Sequence, residues 1–240
     1  MVNASAAEST GGIVLSLYDL SGAMVRPWAE AGFECFIVDI QHPKGCTRHP
    51  DIPGVWRWGV DVLAWLPPRL EYRIVFSFSP CDDSAVSGAR WFQEKGLYRL
   101  GDSIRLFARG FDIGHWSGAP YCCEHPKSTI AAYMDRPPDR VFHPWAFDWA
   151  TPDDDNYTKE TYVWMGNGFI WPKQRRPDSP PDAKRIWCCP PGDDRKNIRS
   201  KTPDGFARAV FLANTGVEGA AEAVRQPLLF RQETLFDPSP

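Results

Sequence analysis

The sequence contains no long apolar run and no large excess of charge of either sign. No stretch approaches the roughly 20 apolar residues that a membrane-spanning helix needs. Residues 1–12 are small and polar, and they lack the basic and apolar regions of a secretory leader. The formal net charge is −3, so the chain as a whole is not a polycation that attracts nucleic acid through its global charge. We therefore expect no membrane partner.

The cysteine content also lacks the pattern of a disulfide framework. The 240 residues contain seven cysteines, an odd number. Without a secretory leader, this count indicates free thiols in a reducing, cytoplasmic compartment. The 43% hydrophobic and 24% charged residues are ordinary for a globular chain and exclude a disordered or fibrous protein. The length suits one α/β domain, the 23 prolines predict many loops, and the oligomeric state stays open.

Short apolar runs alternate with helical patterns along the chain. Residues 13–20 form an apolar run bounded by glycine, a segment with helical spacing ends at Gly32, and residues 36–40 are strand-like again. This order is typical of a parallel βαβ unit. Further along we predict a short element at 61–67, strands at 74–80, 119–126 and 161–169, and helices at 202–214 and at 89–111 with a break at Gly96. The sequence therefore predicts an α/β fold, with an open, mostly parallel twisted sheet and helices on both faces.

The predicted domain covers residues 13–215, between a loose N-terminal segment (1–12) and a C-terminal tail (216–240). Within the domain, residues 172–201 are rich in proline and basic residues, and they predict an irregular loop. The segment from Lys173 to Lys201 carries nine Lys or Arg against four Asp, a local charge of +5. Such a basic loop can meet phosphate at one face of an otherwise acidic protein, although a solvated loop explains the same charges equally well.

Ligands in open α/β sheets bind beyond the carboxyl ends of the strands, and the residues predicted there are chemically specific. The turn from Asp19 to Gly22 lacks the G-x-G-x-x-G pattern and does not support a dinucleotide site. Asp39 ends the second strand, where a carboxylate can hold ribose hydroxyls. Cys81 opens a loop directly after a strand, in the position of a displayed nucleophile. Glu124 leaves a buried strand, so we expect desolvation to raise its pKa.

In their order along the chain, these segments resemble motifs of the cytosine-5 DNA methyltransferases. The similar segments are Asp19-Leu20-Ser21-Gly22 (D-L-F-S-G in the family, with one residue dropped here), Asp39 (the ribose-binding acid), Val60-Asp61-Val62 (G-D-I), Pro80-Cys81-Asp82 (P-C-Q) and Glu124-His125-Pro126 (E-N-V or E-N-P). Short, mostly phage-encoded proteins similar to this family carry the A-V-S-G-A-R-W-F run that is found here at 85–92. The resemblance covers residues 13–214.

The resemblance implies a Rossmann-like fold and the S-adenosylmethionine-dependent transfer of a methyl group to C5 of cytosine. In that family a cysteine adds covalently to the base while a glutamate hydrogen-bonds it, which makes Cys81 and Glu124 the expected catalytic residues. The implied cofactor-binding residues are Asp19, Leu20, Ser21, Gly22, Asp39, Ile40, Asp61, Val62 and Pro80. The implied substrate-binding residues are Ser87, Arg90, His125, Lys159, Thr161, Arg175 and Arg176. The implied partner is DNA or a cytosine nucleotide, and a phage protein would meet it in the host cytoplasm.

The chain departs from the family around the expected cytosine pocket. Asp82 replaces the glutamine after the catalytic cysteine, and His125 replaces the asparagine after the glutamate. Lys159 and Thr161 stand where the family has the arginines of Q-x-R-x-R. A short segment, mainly loop, takes the place of a large target-recognition domain. Two alternatives therefore stay open: a related enzyme that acts on free cytosine nucleotides or transfers another group, and a catalytically silent nucleic-acid-binding relative.

Other conspicuous side chains are expected to be structural. Two histidines and one cysteine lie close together in the sequence, at His42, Cys46 and His49. Their spacing is not that of a zinc site and a fourth ligand is missing, so we expect no metal there. If Cys122 and Cys123 lie on a strand, their side chains point to opposite faces. Asp153-Asp154-Asp155 is expected to be a solvated turn. We expect the side chains of Trp145, Trp149 and Trp164 to pack within the protein rather than to stack on nucleobases.

Overall fold

The computed structural model describes residues 12–151, 155–186, 188, 192 and 195–217, and for residues 87 and 196 it describes the backbone alone. The predicted loose N-terminus lies outside the described residues apart from Gly12. The predicted C-terminal tail lies outside them apart from residues 216 and 217. None of the described helices is both long enough and apolar enough to cross a membrane.

The centre of the fold is an eight-stranded mixed sheet, in the order β3-β4-β2-β1-β5-β6-β8-β7. Neighbouring strands from β4 through β2, β1 and β5 to β6 are parallel, while β3, β8 and β7 pair antiparallel with their neighbours. The strands are β1 (Ile13–Leu17), β2 (Cys35–Val38), β3 (Gly45–Arg48), β4 (Val55–Gly59), β5 (Tyr72–Ser77), β6 (Tyr121–Pro126), β7 (Arg140–Phe142) and β8 (Thr161–Gly166). The prediction of an α/β fold with a mostly parallel sheet is confirmed.

Four α-helices accompany the sheet in the described residues: α1 (Arg26–Glu30), α2 (Phe92–Ser117), α3 (Arg195–Ser200) and α4 (Asp204–Asn214). Three 3₁₀ helices cover Val86–Trp91, Thr129–Tyr133 and Pro144–Ala150. The predicted break in the long helix is present, because Gly96 inside α2 has φ 72° and ψ 175°. The fixed φ of proline predicts Pro203 in the first turn of α4. In the structure Pro203 is the N-cap, one residue before that turn.

The two faces of the sheet carry separate hydrophobic clusters. Ile74 and Phe76 of β5 join one cluster with Trp28 of α1 and Phe206 of α4. Val75, between them in sequence, joins the other cluster with side chains of α2. Because neighbouring strand residues point to opposite faces, α1 and α4 cover one face and α2 covers the other. Cys122 and Cys123 divide between the two clusters in the same way, as their adjacent positions on a strand predict.

The path of the chain through the sheet reverses direction at β1. From β1 the chain adds β2 and then β4 on one side, and it then crosses to the other side and adds β5 and β6. In open α/β sheets the crevice beyond the carboxyl ends of the two strands that flank such a reversal is the ligand-binding position. Here those strands are β1 and β5, and this topology is compatible with the Rossmann-like arrangement that the sequence predicts.

Three predictions of local structure are wrong. Residues 61–67 form no regular element but a turn at 62–64, in which the Asp61 carboxylate accepts a hydrogen bond from the Leu63 amide at 3.0 Å. Strands β3 and β4 have no counterpart among the predicted elements, because β3 is a mainly exposed edge strand and Arg57 interrupts the apolar run of β4. The loop predicted at 172–201 ends in α3.

Helix α2 lies unusually close to β5 at Gly110. A Cβ atom at this position would stand 2.3 Å from the Ser77 hydroxyl oxygen and 2.7 Å from Ser77 Cβ. Neither atom can yield freely, since Ser77 belongs to a central strand and is buried. The close approach seats α2 on β5 and β6, the two strands that lead to Cys81 and Glu124.

Gly110→Ala is therefore expected to destabilise the protein by about 1–3 kcal/mol, the usual cost of overpacking a core. Gly101→Ala is the matched control, because it lies on the same helix and a Cβ there meets nothing within 4 Å. The control should be neutral or stabilise the protein by up to about 1 kcal/mol through helix propensity. Urea denaturation of both variants measures the difference, and equal stabilities would contradict the close packing.

Candidate active site at the strand ends

The turn after β1 is built around the side chain of Asp19. Its Oδ1 atom accepts hydrogen bonds from the Ser21 and Gly22 amides at 3.1 and 2.7 Å, and its Oδ2 atom accepts one from the Ser16 hydroxyl at 2.9 Å. Burial raises the pKa of Asp19, against these hydrogen bonds. Gly22 has φ +67°, which favours glycine at this position. Asp19 therefore shapes the turn, and the side chain that the turn exposes to a ligand is Ser21.

His42 ties this turn to the end of β2. Its Nε2 atom lies 3.0 Å from the Asp19 carbonyl oxygen, and its amide donates a hydrogen bond to the Asp39 carbonyl at 3.2 Å. Burial lowers the pKa of the imidazole. His49 is also engaged, because its Nδ1 atom accepts hydrogen bonds from the Asp51 and Ile52 amides, both at 3.1 Å. The described residues contain no group of three metal-ligating side chains.

The end of β2 presents one polar and one apolar group. Asp39 accepts a hydrogen bond from the Gln41 amide at 2.8 Å through Oδ1, while its Oδ2 atom makes no hydrogen bond with the described residues. The next side chain, Ile40, is 71% exposed. A carboxylate oxygen with free acceptor capacity beside an exposed apolar side chain fits the sugar and the base of a nucleoside.

The end of β4 contributes less than the sequence suggests. Asp61 is exposed, and its charge helps to raise the pKa of Tyr18, the residue before the Asp19 turn, although burial is the larger cause. Val62, predicted to bind cofactor, is buried in the hydrophobic cluster of the α2 face. The Val62 carbonyl accepts a hydrogen bond from Nε of Arg109 in α2 at 3.3 Å. Val62 thus fixes this turn to the helix, and Asp61 is the side chain that the turn exposes.

Cys81 begins a tight turn just beyond β5, directly after the exposed Pro80. Its carbonyl accepts hydrogen bonds from the Ser84 and Ala85 amides at 3.2 and 2.9 Å. Burial and, after it, the negative charges of Glu124 and Asp82 raise the pKa of the thiol to about 11, whereas Lys159 acts against them. Cys81 is therefore a thiol at neutral pH in the free protein, within reach of the charge of Glu124.

Glu124 lies on β6, the strand next to β5, and faces a narrow pocket. Burial raises the pKa of its carboxyl, while the Lys159 ammonium acts in the opposite direction. The Thr161 hydroxyl donates a hydrogen bond to the Lys159 carbonyl at 3.1 Å. The pocket holds about one water molecule, with a volume near 10 Å³, and is lined by Phe78, Glu124, Phe142, Lys159, Thr161, Ser200, Thr202, Pro203 and Phe206. The predicted residues Cys81, Glu124, Lys159 and Thr161 are thus brought together.

His125 does not belong to this pocket. The alternation along β6 turns its side chain to the α2 face, where the imidazole is fully buried and packs edge-on against Phe107 at 5.2 Å. Burial lowers its pKa. The position of His125 differs from the substrate contact predicted for it, because Glu124 and His125 occupy opposite faces of the same strand.

The remaining predicted substrate residues lie on the surface. Arg175 stacks over the Trp149 ring at 4.2 Å, Arg176 is exposed, and Arg90 lies over the Trp91 ring at 5.1 Å. The Ser87 side chain lies outside what the structure describes. Of the three tryptophans considered for base stacking, Trp164 is fully buried in the core, whereas Trp145 and Trp149 are partly exposed.

Two groups of functional interest were missed from sequence. Asp155, expected in a solvated turn, is buried, and it accepts a hydrogen bond from the Gly205 amide at 2.6 Å near the start of α4. Burial raises its pKa to about 6. Asp153 and Asp154 lie outside the described residues. The second group, Ser200, Thr202 and Pro203, lines the Glu124 pocket from the end of the basic loop and the residues just after it. No local sequence signal marks either group, since both arise from contacts distant in sequence.

Comparison with known proteins adds no assignment: no family model matches the chain, and no curated protein matches it. The functional argument therefore depends on the residues at the strand ends and on the chemistry that they support.

Proposed function

We propose that this protein transfers a methyl group from S-adenosylmethionine to C5 of cytosine in DNA, through a covalent bond between Cys81 Sγ and C6 of the base. The observation that carries the proposal is the electrostatic coupling of the Cys81 thiol to the Glu124 carboxyl at the ends of two adjacent parallel strands. A nucleophile beside a carboxyl of raised pKa, next to the reversal point of an α/β sheet, is the pairing that this reaction requires.

The residues beyond β1 and β2 fit the proposed methyl donor. Asp39 has a carboxylate oxygen able to accept hydrogen bonds from ribose hydroxyls, and Ile40 offers an exposed apolar surface to the adenine. Ser21 and the exposed Asp61 stand on the neighbouring turns. When bound, S-adenosylmethionine supplies an electrophilic methyl group. This chain's contribution is to hold the donor at the edge of the sheet where Cys81 also emerges.

Cys81 acts as the nucleophile in the proposed reaction. In the free protein Cys81 is protonated at neutral pH, whereas the thiolate is the reactive form. The thiol therefore loses its proton to solvent as sulfur bonds to C6. The Lys159 ammonium favours the thiolate, whereas a negatively charged Glu124 opposes it. Protonation of Glu124 before the addition therefore removes the main charge that resists thiolate formation.

Glu124 balances the charge that develops on the base. Burial raises its pKa and so favours the protonated carboxyl, whose proton bonds to N3 while the other carboxyl oxygen accepts from the exocyclic amine. Lys159 lines the same pocket, and its ammonium group can donate a hydrogen bond to O2 of cytosine. After C5 has taken the methyl group, its proton passes to solvent water and the electrons of that C–H bond re-form the C5–C6 double bond. Sulfur then leaves C6 as a thiolate that takes up a proton from solvent, and N3 returns its proton to Glu124.

The pocket must open before a base can enter it. Space for about one water molecule does not hold a cytosine, so Ser200, Thr202 and Pro203 have to move away from Glu124. In a duplex the base must also be flipped out of the stack, at a cost of a few kcal/mol. Arg175 on Trp149, with the exposed Arg176 beside it, offers the phosphate contacts that position DNA without reading its sequence.

A second candidate function is the same chemistry on a free cytosine nucleotide. Two features favour it. Lys159, Ser200, Thr202 and Pro203 line the small pocket at Glu124, and the described residues contain no separate folded unit that could hold a duplex. The intact pair of Cys81 and Glu124 argues against a catalytically silent nucleic-acid-binding protein.

Incubation with labelled S-adenosylmethionine and either duplex DNA or dCMP and dCTP, followed by nucleoside mass spectrometry, tests the proposal. The expected product is 5-methyldeoxycytidine in DNA. The same product in the free nucleotide pool alone would favour the second candidate. Absence of a methylated cytosine from every substrate would overturn both.

Asp39→Asn is expected to weaken S-adenosylmethionine binding by about 1–3 kcal/mol, because charge-assisted hydrogen bonds to the ribose are lost. Asparagine keeps the acceptor for the Gln41 amide, so the strand end should hold its shape. Asp51→Asn, an exposed carboxylate in a nearby turn, is the control and should leave the affinity unchanged. Calorimetry measures both, and equal affinities would contradict the role given to Asp39.

A further inference from the structure

A buried row of polar side chains connects β6 to the turn that carries Cys81. The His125 Nε2 atom lies 3.3 Å from the Ser84 hydroxyl oxygen, which lies 2.9 Å from the Ser103 hydroxyl oxygen of α2. Ser103 in turn donates a hydrogen bond to the Pro80 carbonyl at 3.4 Å. His125, Ser84 and Ser103 are all at most 3% exposed. The row therefore lies beneath the reactive turn, out of contact with solvent.

The hydrogen bonds of His125 fix the direction of the row. Nδ1 lies 2.9 Å from the Pro126 carbonyl oxygen, an acceptor only, so Nδ1 carries the proton. Nε2 is then the acceptor, and it receives the Ser84 hydroxyl proton. Since Ser84 Oγ is left with its lone pairs, the single hydroxyl proton of Ser103 is shared between Ser84 Oγ at 2.9 Å and the Pro80 carbonyl at 3.4 Å. A buried imidazole with this arrangement is neutral, in keeping with its lowered pKa.

Ser84 is also the main-chain anchor of the Cys81 turn. Its amide donates to the Cys81 carbonyl at 3.2 Å, and its carbonyl accepts from the Thr129 amide, also at 3.2 Å. The Val86 amide donates to the Lys127 carbonyl at 3.1 Å. The C-terminal end of the turn is thus held by the segment that follows Glu124 and His125. Holding the hydroxyl of Ser84 therefore restrains the direction in which Cys81 emerges.

We propose that His125 is a positioning residue, which holds the Cys81 turn through Ser84 and so fixes the thiol beside the Glu124 carboxyl. Glu124 and His125 are adjacent on one strand but face opposite sides of the sheet. One therefore supplies the charge beside the sulfur, and the other restrains the sulfur from beneath. The consequence for catalysis rests on the proposed function, whereas the restraint on the thiol does not.

The reactivity of the Cys81 thiol reports this restraint without any substrate. Burial and the facing charges of Glu124 and Asp82 hold the thiol pKa near 11, against Lys159. A turn released from His125 would let the sulfur move into solvent, where a cysteine has a pKa of about 8.5. At pH 8 the thiolate fraction would then rise by about two hundredfold, and because a thiolate of lower pKa is a weaker nucleophile, the rate of alkylation by iodoacetamide would rise by about tenfold.

The experiment measures the iodoacetamide rate at Cys81 as a function of pH by peptide mass spectrometry, which separates it from the other cysteines. His125→Phe is expected to raise the rate about tenfold at pH 8 and to shift the profile to lower pH. His125→Gln, whose amide can still accept from Ser84, should stay close to wild type. His115→Phe is the matched control: it loses a 2.9 Å hydrogen bond between His115 and Tyr121 of β6, far from the turn in sequence, and should leave the profile unchanged.

An unchanged Cys81 profile in folded His125→Phe would overturn the proposal, and so would an equal change in His115→Phe. If His125→Phe does not fold, Ser84→Ala replaces it and must show the same acceleration, since it removes the hydroxyl that His125 holds. Neither measurement needs S-adenosylmethionine or DNA. The role of His125 can therefore be confirmed or refuted even if the protein does not methylate cytosine. If methylation is observed, His125→Phe should lower kcat and leave the affinity for S-adenosylmethionine unchanged.

Discussion

Cys81→Ala is expected to abolish methyl transfer while the fold and the binding of S-adenosylmethionine stay intact. The sulfur forms the bond that activates the base, and no other cysteine of the described residues couples electrostatically to both Glu124 and Lys159. Loss of a covalent nucleophile costs about 10⁴-fold or more in kcat. Because the Cys81 side chain is only partly buried in a surface turn, its removal should change stability little.

Cys46→Ala is the matched control, because Cys46 is an exposed free thiol on the edge strand β3. Its methyl-transfer rate should equal that of the wild type. Rates are followed with labelled S-adenosylmethionine and duplex DNA, with thermal denaturation to verify the fold. A Cys81→Ala enzyme that turns over at a comparable rate would show that the reaction is not covalent through this residue.

Glu124→Gln should retain substrate binding and lose about 10²–10⁴-fold in kcat, the usual contribution of a positioned general acid. Glutamine keeps the shape and can hydrogen-bond N3 and the exocyclic amine, but it has no acidic proton to give. Since burial raises the pKa of Glu124, the wild-type rate should fall as the pH rises through that pKa. The variant should lack this descending limb of the pH profile.

Glu160→Gln serves as the control for this change. Glu160 also carries a carboxylate near β8, but it is exposed and pairs with Lys127 at 3.8 Å. Its substitution should leave both kcat and the pH profile unchanged. Single-turnover kinetics separate the chemical step from binding. If Glu124→Gln kept most of the wild-type rate, the carboxyl would be a structural group and the assigned proton transfer would be wrong.

The central part of the fold was predictable because its strands are apolar runs that end in turn residues. Cys81 and Glu124 were singled out for the same reason, since a polar side chain after such a run is expected near the carboxyl edge of the sheet; the structure has Cys81 just beyond β5 and Glu124 on β6. Strands β3 and β4 escaped prediction because an edge strand needs no apolar pattern and Arg57 interrupts the other. Hydrogen bonds between neighbouring backbones, rather than side-chain burial, define this outer pair.

The rest of the site depends on contacts that sequence does not display. The alternation of side chains along a strand already separates His125 from Glu124, so its burial could have been inferred once 121–126 was taken as a strand. The partnership of His125 with Ser84 and Ser103 brings together positions far apart in the chain. The same holds for Asp155 at the start of α4, where the local run of aspartates indicates only solvation.

The most direct measurement of the central claim uses duplex DNA that contains 5-fluorocytosine, incubated with the protein and S-adenosylmethionine. Fluorine cannot leave C5 as a proton does, so the base should stay bonded to the enzyme after methyl transfer. The expected result is a denaturant-resistant protein–DNA adduct whose peptide mass places the methylated base on Cys81. The adduct should be absent from Cys81→Ala and from reactions without S-adenosylmethionine. A wild-type protein that methylates ordinary cytosine but forms no adduct, or forms it through another residue, would contradict the account.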